Sequence, residues 1–239
     1  MRSYKKAIIT ENKKINENVW LMKVKSEIHT KPGEFFMIRS DVFGNDPLLS
    51  RPFSVSDEKN GEISFLYLVV GKATNLMTKF KIGHEMKILG PLGKGFRYEN
   101  SDDKKIALVA GGVGIAPLLY LAKKLKNKAD LYAGFSKDSY YLDEFRPYVN
   151  NIFTTSDLYD KKFITEILDP NEYDLIYACG PNPMLKSLCD KNNKALIQIS
   201  MESRMACGIG ACLGCTVKTN EGNLRVCKDG PVFDSKEIF

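Results

Sequence analysis

The amino-acid sequence predicts three parts in order: an antiparallel β-barrel, a parallel α/β domain and a small C-terminal cysteine module. Three observations lead to this fold class. Short strand-like runs recur through the first hundred residues, strand and helix patterns alternate from Lys104 onward, and four of the six cysteines lie between Cys207 and Cys227. We expect the corresponding domains to span residues 1–99, 100–199 and 200–239.

The first part is dominated by strand-like runs separated by turn residues. Strands are predicted at 7–10, 19–24, 35–39, 51–56, 63–70 and 86–89, with one helix at 74–80. Lys59-Asn60-Gly61-Glu62 predicts a hairpin turn, and Gly90 to Phe96 predicts a loop. Several short strands at regular spacing are typical of a barrel.

The second part alternates between buried strands and helices. Strands are predicted at 106–110, 130–134, 152–154, 174–178 and 195–199, and helices at 116–125, 163–168 and 183–190, with a short helix or loop at 142–145. The apolar run from Ile106 to Ala122 has the minimum length of a membrane span. Because it contains three glycines and Pro117, a strand, a turn and a helix start explain it better.

The third part carries Cys207, Cys212, Cys215 and Cys227 with the spacing C-x4-C-x2-C, then eleven residues, then C. This is the spacing of plant-type [2Fe–2S] ferredoxins, in which one loop supplies three thiolates and a later segment returns the fourth. Residues 216–219 and 224–226, around a turn at 220–223, predict the hairpin that returns Cys227.

Two other interpretations of the cysteines remain open. A four-cysteine zinc site usually uses two C-x2-C-like pairs, and only one short pair is present here. Disulfides require an oxidising compartment, whereas the N-terminal stretch has no apolar segment typical of a secretory signal. We therefore expect a cytoplasmic location and an iron–sulfur site. Cys179 and Cys189 lie outside the cluster motif.

The composition excludes other classes. The net charge is +6, but the charges are dispersed without a basic run of five or six residues, so the sequence does not predict nucleic-acid binding. We also expect no membrane association.

Three further motifs precede the cysteines. Arg51-Pro52-Phe53-Ser54 offers a guanidinium suited to a pyrophosphate, although an Arg in a surface salt bridge is an equally simple reading. Gly111-Gly112-Val113-Gly114 follows a buried strand and precedes a helix with Pro117 in its first turn, as in phosphate-binding turns. Cys179-Gly180-Pro181 ends another predicted strand, where ligands bind in open α/β sheets.

The order of these motifs resembles the ferredoxin–NADP reductase superfamily. Within it, the chain is most similar to the electron transfer subunits of NAD-dependent (class 1B) dihydroorotate dehydrogenases. The resemblance covers essentially the whole chain, and its most specific part is the tail from Glu202 to Cys215 with Arg225 to Phe233.

The resemblance implies a binding site for each of three cofactors. It places FAD at Arg51, Pro52, Phe53 and Ser54, with Arg51 on the pyrophosphate and Ser54 near the flavin ring, and implies further FAD contacts at Leu66, Tyr67, Leu68, Ala73 and Thr74. It places NAD at Gly111, Gly112, Gly114, Cys179, Gly180 and Pro181, and a [2Fe–2S] cluster at the four cysteines. Leu68, Ala73 and Phe53 replace the Arg, Gly and Tyr common in relatives.

The resemblance also implies a partner. An FMN-containing dihydroorotate dehydrogenase catalytic subunit would oxidise dihydroorotate, and electrons would pass through the [2Fe–2S] cluster and FAD to NAD⁺, in a heterotetramer of two copies of each chain. Two alternatives stay open: a related NAD(P)H–ferredoxin reductase or hydrogenase-type subunit, and a non-enzymatic iron–sulfur or zinc interaction module. Asp138 could bond a ribose and Ser136 with Lys137 a 2′-phosphate, so the residues alone do not decide between NAD and NADP.

Overall fold

A computed structural model describes residues 3–220 and 222–239 of the chain. These residues form a seven-stranded antiparallel sheet, a six-stranded sheet that is parallel except at one edge, and a two-stranded hairpin. The three parts follow one another along the sequence, as the residue patterns predict.

The N-terminal sheet forms the predicted barrel. Its strands have the order β4-β3-β7-β1-β2-β6-β5, and helix α1 (Lys72–Met77) connects β6 to β7. Residues 51–59 close it, because β4 pairs with β3 while β5, two residues further on, pairs with β6. The strand bounds are β1 Lys5–Lys14, β2 Val19–Lys25, β3 Phe35–Arg39, β4 Arg51–Ser54, β5 Asp57–Lys59, β6 Glu62–Leu68 and β7 Glu85–Leu92.

The predicted hairpin turn is confirmed, and the predicted loop is partly wrong. Asn60 and Gly61 both have positive φ, 54° and 75°, as a tight hairpin turn requires. Strand β7, however, continues through Gly90-Pro91-Leu92, although the glycine and proline of this stretch predict a loop. Pairing of Leu92 with Phe35 of β3 overrides that local preference.

The second sheet has the strand order β10-β9-β8-β11-β12. From β8 the chain builds outward to β10, then crosses back to place β11 on the other side of β8, so the order reverses between β8 and β11. Ligands bind at such a reversal, beyond the carboxyl ends of the strands. The bounds are β8 Ile106–Gly111, α2 Ile115–Lys124, β9 Ala129–Phe135, β10 Val149–Ser156, α3 Ile164–Ile167, β11 Leu175–Cys179, α4 Asn182–Asp190 and β12 Leu196–Ser200.

The apolar run that resembles a membrane span consists of strand β8, a short turn and helix α2. Across the described residues, no helix is long and apolar enough to span a membrane. Residues 142–145 form turns without a helix.

The C-terminal part contains β13 (Thr216–Thr219), β14 (Gly222–Arg225), β15 (Val232–Asp234) and α5 (Ser235–Ile238). The predicted hairpin is β13 and β14, although Glu221 of its turn lies outside the described residues. Strand β15 is not predicted from the sequence, because a strand of 3 residues leaves no recognisable alternating pattern. It pairs antiparallel with β12, and the preceding Gly230 carbonyl accepts a 2.5 Å hydrogen bond from the barrel amide of Lys94, so the tail contacts both larger parts.

Candidate functional site

A cleft of about 390 Å³ lies where the barrel meets the carboxyl ends of β8, β11 and β12. Every residue predicted to contact FAD borders it. These residues are Arg51, Pro52, Phe53, Ser54, Leu66, Tyr67, Leu68, Ala73 and Thr74. They come from β4, from β6 and from helix α1, all within the stretch from Arg51 to Thr74.

Arg51 has the properties of a ligand-binding cation. Its guanidinium donates to the carbonyls of Leu49 at 2.8 Å and Ser50 at 3.4 Å, and no carboxylate pairs with it among the ion pairs of the described residues. The surface salt bridge considered from the sequence is therefore not formed. An unpaired guanidinium on a cleft is suited to a phosphate.

The aromatic side chains of the cleft support one another. The rings of Phe53 and Tyr67 meet edge to face with centroids 6.0 Å apart. The Tyr67 hydroxyl donates to Asn12 Oδ1 at 3.1 Å, and burial raises the pKa of this phenol well above its usual value. Tyr67 therefore contributes a neutral apolar surface, and Phe53 packs without any hydroxyl.

Thr74 stabilises the turn that leads into helix α1. Its hydroxyl accepts from the amides of Val70 at 3.0 Å and Gly71 at 3.2 Å and donates to the Gly71 carbonyl at 3.1 Å. The side chain thus shapes the border of the cleft. Lys72, which sequence reasoning missed, also borders the cleft and forms an exposed ion pair with Asp46.

The glycines of the predicted nucleotide turn have two different roles. A Cβ on Gly114 would lie 2.2 Å from the Cys179 carbonyl oxygen, and one on Gly111 would lie 2.6 Å from Pro181 Cδ. A Cβ on Gly180 would lie 2.9 Å from the Gly111 nitrogen, so these three glycines let two loops pack together. Gly112 differs, because its φ is +54° and the nearest atom to its Cβ position is 3.9 Å away.

Two of the residues predicted to bind NAD, Gly114 and Cys179, border the cleft itself. The others, Gly111, Gly112, Gly180 and Pro181, belong to the same pair of packed loops. Burial, with the nearby charge of Glu202, raises the pKa of Cys179 to about 12, so the thiol stays neutral at physiological pH.

A further border of the cleft was not predicted. Ser200 ends strand β12, and residues 201–203 and Met205 follow it and lead to Cys207. Glu202 has side-chain surface open to the cleft, while surrounding atoms desolvate its carboxyl group and raise its pKa. Their place after the last parallel strand is the signal that could have identified them.

The four cluster cysteines form two pairs. The Cys212 amide donates to Cys207 Sγ at 3.4 Å, and the Cys227 amide donates to Cys215 Sγ at 3.4 Å. All six cysteines are free thiols. Within residues 3–220 and 222–239, no group of three or more His, Cys, Asp or Glu side chains is arranged around one metal position. A [2Fe–2S] cluster has two irons, each with two thiolate ligands, so two cysteine pairs fit this donor set.

The cluster loop directs backbone amides at sulfur. Burial raises the pKa of Cys207, but hydrogen bonds from the amides of Ile209, Cys212 and Ala211 outweigh it and lower the pKa to about 6. The thiolate is the metal-binding form of cysteine. Burial and the neighbouring Cys215 raise the pKa of Cys227.

Comparison with known proteins supports the FAD-binding domain and the iron–sulfur domain. The family described as "Iron-sulfur cluster binding domain of dihydroorotate dehydrogenase B" matches residues 202–239, and "Oxidoreductase FAD-binding domain" matches residues 6–98. A chain in a structure of the NADH-dependent reduced ferredoxin-NADP oxidoreductase, a study of flavin-based electron bifurcation, has a TM-score of 0.84 at 27% identity. That alignment covers 100% of this chain and 91% of the other.

The fold and the two matched domains define an oxidoreductase chain of the ferredoxin–NADP reductase type with an added iron–sulfur domain. The dihydroorotate dehydrogenase B (NAD(+)) electron transfer subunit of Clostridium acetobutylicum is 43% identical over 97% of this chain and 95% of its own length. That of Clostridium perfringens is 42% identical over 98% of each chain. The chain belongs to the family of dihydroorotate dehydrogenase B electron transfer subunits.

Proposed function

We propose that this chain passes electrons from dihydroorotate oxidation, on an FMN-bearing partner subunit, through a [2Fe–2S] cluster and FAD to NAD⁺. The reaction belongs to de novo pyrimidine (UMP) biosynthesis. One observation carries the proposal: a single cleft is bordered by the predicted FAD residues, by Gly114 and Cys179, and by the segment that leads to Cys207.

On the barrel side, Arg51 binds the FAD pyrophosphate and Ser54 lies near the flavin ring. The unpaired guanidinium supports the first assignment, and the position of Ser54 at the end of β4, on the cleft, supports the second. When bound, FAD exchanges a hydride with a nicotinamide and single electrons with an iron–sulfur centre. Leu66, Tyr67 and Phe53 exclude water from the ring, and Thr74 holds the turn beside it.

On the α/β side, the packed loops that follow β8 and β11 would hold NAD. Gly112 leaves room for the nucleotide, while Gly111, Gly114 and Gly180 hold the two loops together. Cys179 places a neutral thiol at the cleft, at the end of strand β11. Pro181 begins the turn into α4 beside it.

The cluster is held by Cys207, Cys212, Cys215 and Cys227. The paired sulfur atoms and the amides directed at Cys207 favour two irons with thiolate ligands over a single zinc ion. The 200–239 segment then acts as the cluster domain, 1–99 as the FAD domain and 100–199 as the NAD domain.

The partner is the FMN-containing catalytic subunit, and the complex is a heterotetramer with two copies of each chain in the cytoplasm. The relatives named as electron transfer subunits support the existence of a partner. Ile209 and Leu213 of the cluster loop are exposed and offer apolar contact beside the cysteines, whereas Phe233 is buried within this chain.

Anaerobic addition of NADH to the purified chain loaded with FAD and cluster tests the proposal. We expect the flavin absorbance to bleach, and addition of the FMN-bearing subunit with dihydroorotate and NAD⁺ to produce orotate and NADH. A chain that binds no flavin after reconstitution would overturn the proposal in favour of a non-enzymatic module.

The 27% identity to a ferredoxin-NADP oxidoreductase chain favours one second candidate. In that case the chain is a subunit of an NAD(P)H–ferredoxin reductase or hydrogenase-type enzyme. NADH would still bleach the flavin, but reduced ferredoxin would replace the FMN-bearing subunit as electron donor. A comparison of the two donors with the same preparation separates the candidates.

A further inference from the structure

Three consecutive barrel residues each form a hydrogen bond to the α/β domain. They belong to the segment that closes the barrel, at and just before strand β5, and their partners lie on helix α2 and in the loop after β9. We call this set the interdomain latch. Its members are Ser56, Asp57, Glu58, Tyr120, Lys123 and Tyr141.

Tyr120 is the most deeply inserted member of the latch. Its side chain is buried within the apolar core of the barrel, although it belongs to helix α2 of the other domain. Its hydroxyl lies 2.9 Å from the Thr30 carbonyl and 3.2 Å from Glu58 Oε2. Glu58 Oε2 also accepts from the Thr30 amide at 2.6 Å, so the phenol meets an acceptor that is already fixed.

Lys123 and Asp57 form the charged member of the latch. Lys123 Nζ lies 2.7 Å from Asp57 Oδ2, and the side chains are only 20% and 17% exposed. Lys123 also lies over the Tyr148 ring, 5.4 Å from its centroid. Ser56 and Tyr141 add a hydrogen bond of 3.2 Å between their hydroxyls. A short, mostly buried ion pair fixes geometry better than an exposed one.

Five of the six latch residues, all except Tyr141, lie on the two segments that also carry cleft residues. Strand β4, with Arg51 to Ser54, runs through two residues into β5, so the flavin residues and the latch acceptors share one extended segment. Helix α2 starts at Ile115, directly after the Gly112 to Gly114 turn, and carries Tyr120 and Lys123 further along. Residues 51–59 and helix α2 therefore each begin with cleft residues and carry latch residues further along the chain.

We propose that the interdomain latch sets the distance between the flavin site on the barrel and the nicotinamide site on the α/β domain. The proposal rests on the proposed function and deepens it, because it names positioning residues for hydride transfer. None of the six residues borders the cleft, so they act through Ser54 and the glycine turn. Hydride transfer is sensitive to such placement, since a misplacement of roughly 1 Å costs about a hundredfold in rate.

The test uses the full chain loaded with FAD and cluster, mixed anaerobically with NADH in a stopped-flow instrument. The variants are Tyr120→Phe, Lys123→Met and the combination of both. We expect the combined variant to lower the limiting rate of flavin reduction by about tenfold or more, with the NADH dissociation constant changed by less than about threefold. A role in stability alone would lower the melting temperature and leave that limiting rate unchanged.

Tyr173→Phe is the matched control. Tyr173 is also a buried tyrosine whose hydroxyl makes hydrogen bonds, at 2.9 Å to Tyr132 and 3.0 Å to Asp130, but all of them lie within the α/β domain. We expect its reduction rate to equal that of the unmodified chain. An equal slowing in Tyr173→Phe and Tyr120→Phe would overturn the latch.

A charge exchange tests the same idea if the combined variant fails to retain FAD. Lys123→Asp alone should slow flavin reduction, and Asp57→Lys added to it should recover most of the lost rate. A normal limiting rate in the combined variant, or no recovery in the exchange, overturns the latch. Failure of the unmodified chain to react with NADH overturns the proposed function instead.

Discussion

Gly208 in the cluster loop lies directly against Met37 in barrel strand β3. A Cβ on Gly208 would be 2.4 Å from the methionine Cγ, and the φ of Gly208 is +70°. Met37 pairs with Pro52 of strand β4, which belongs to the Arg51 to Ser54 motif. The cluster loop is therefore separated from the proposed flavin site by one barrel strand.

Replacement of Gly208 by alanine should displace the cluster loop. The new Cβ meets Met37, and a positive φ costs a non-glycine residue about 1–2 kcal/mol. We expect the purified variant to contain less iron and sulfide than the unmodified chain and to lose visible absorbance from the cluster.

Gly44→Ala is the control for a strained glycine replacement outside the cluster loop. Gly44 has a φ of +58°, close to that of Gly208, but nothing lies within 4 Å of its Cβ position. We expect this variant to retain its iron. Equal iron loss from both variants would show that the effect does not depend on displacement of the cluster loop against Met37.

Serine substitutions test the cluster ligands. Replacement of Cys207, Cys212, Cys215 or Cys227 should remove or destabilise the cluster, because a four-thiolate site has no spare ligand nearby. Cys189→Ser is the control, since Cys189 lies on helix α4 and its thiol interacts with Ser235. Iron, sulfide and the electron paramagnetic resonance signal of the reduced protein are measured. Comparable iron loss in Cys189→Ser and Cys212→Ser would contradict the assignment.

Arg51→Ala should weaken FAD binding. A charge-assisted hydrogen bond to a phosphate contributes about 1.5–3 kcal/mol, so the FAD dissociation constant should rise about ten- to a hundredfold. The flavin remaining after dialysis and a fluorescence titration of the flavin-free chain measure the effect. Arg146→Ala is the control, because Arg146 forms an exposed ion pair with Asp143 in the α/β domain. Unchanged retention in Arg51→Ala would place the pyrophosphate elsewhere.

Local patterns in the sequence predict most of the fold. The hairpin at Asn60-Gly61 has turn chemistry that fixes its geometry, and the glycine turn before α2 ends an unbroken apolar strand. Strand β15 and the end of β7 could not be found in this way. Both depend on pairing with distant strands, β12 and β3, which no local pattern records.

The candidate site was predictable where a motif carries chemistry. The Arg51 motif and the cysteine spacing could be recognised because each matches a known ligand chemistry. Lys72 and Glu202 belong to no such motif, and they border the cleft because the barrel, the α/β loops and the segment after β12 meet there. The same limit applies to the latch. The sequence pattern predicts only that Tyr120 lies on the apolar face of a helix. The three-dimensional structure shows that its side chain packs inside the barrel core.

Glu34 predicts a pH dependence of stability. Burial raises the pKa of its carboxyl group in the folded chain above the unfolded value, despite a 2.8 Å hydrogen bond from the Lys31 amide. The folded state therefore binds the proton more tightly, so this stabilising contribution is present in acid and is lost as the pH rises through the folded pKa. Glu34→Gln keeps an acceptor for Lys31 and removes the charge.

Thermal unfolding of the two chains across the pH range measures this difference. We expect Glu34→Gln to melt higher than the unmodified chain at pH 7, and the gap to close as the pH falls below about 4, where an ordinary Glu is protonated in the unfolded state. A gap of the same size at pH 7 and pH 4 would mean that packing, and not the buried charge, separates the two chains.

The chain alone should oxidise NADH with an artificial electron acceptor but should not oxidise dihydroorotate. Dihydroorotate oxidation requires a base for one substrate proton and a flavin that accepts the hydride. The proposed flavin site faces Cys179, whose raised pKa keeps the thiol protonated and makes it a poor base.

The two histidines do not provide that base. His84 stacks on Phe80 with ring centroids 4.3 Å apart, and its Nε2 lies 3.0 Å from Ser40 Oγ. His29 is 96% exposed and lies 2.9 Å from Glu58, and neither histidine borders the cleft among the described residues. Orotate formation is followed with the purified chain and then after addition of the FMN-bearing subunit. Turnover before that addition would reveal a second active site, whereas turnover only afterwards assigns the proton transfer to the partner.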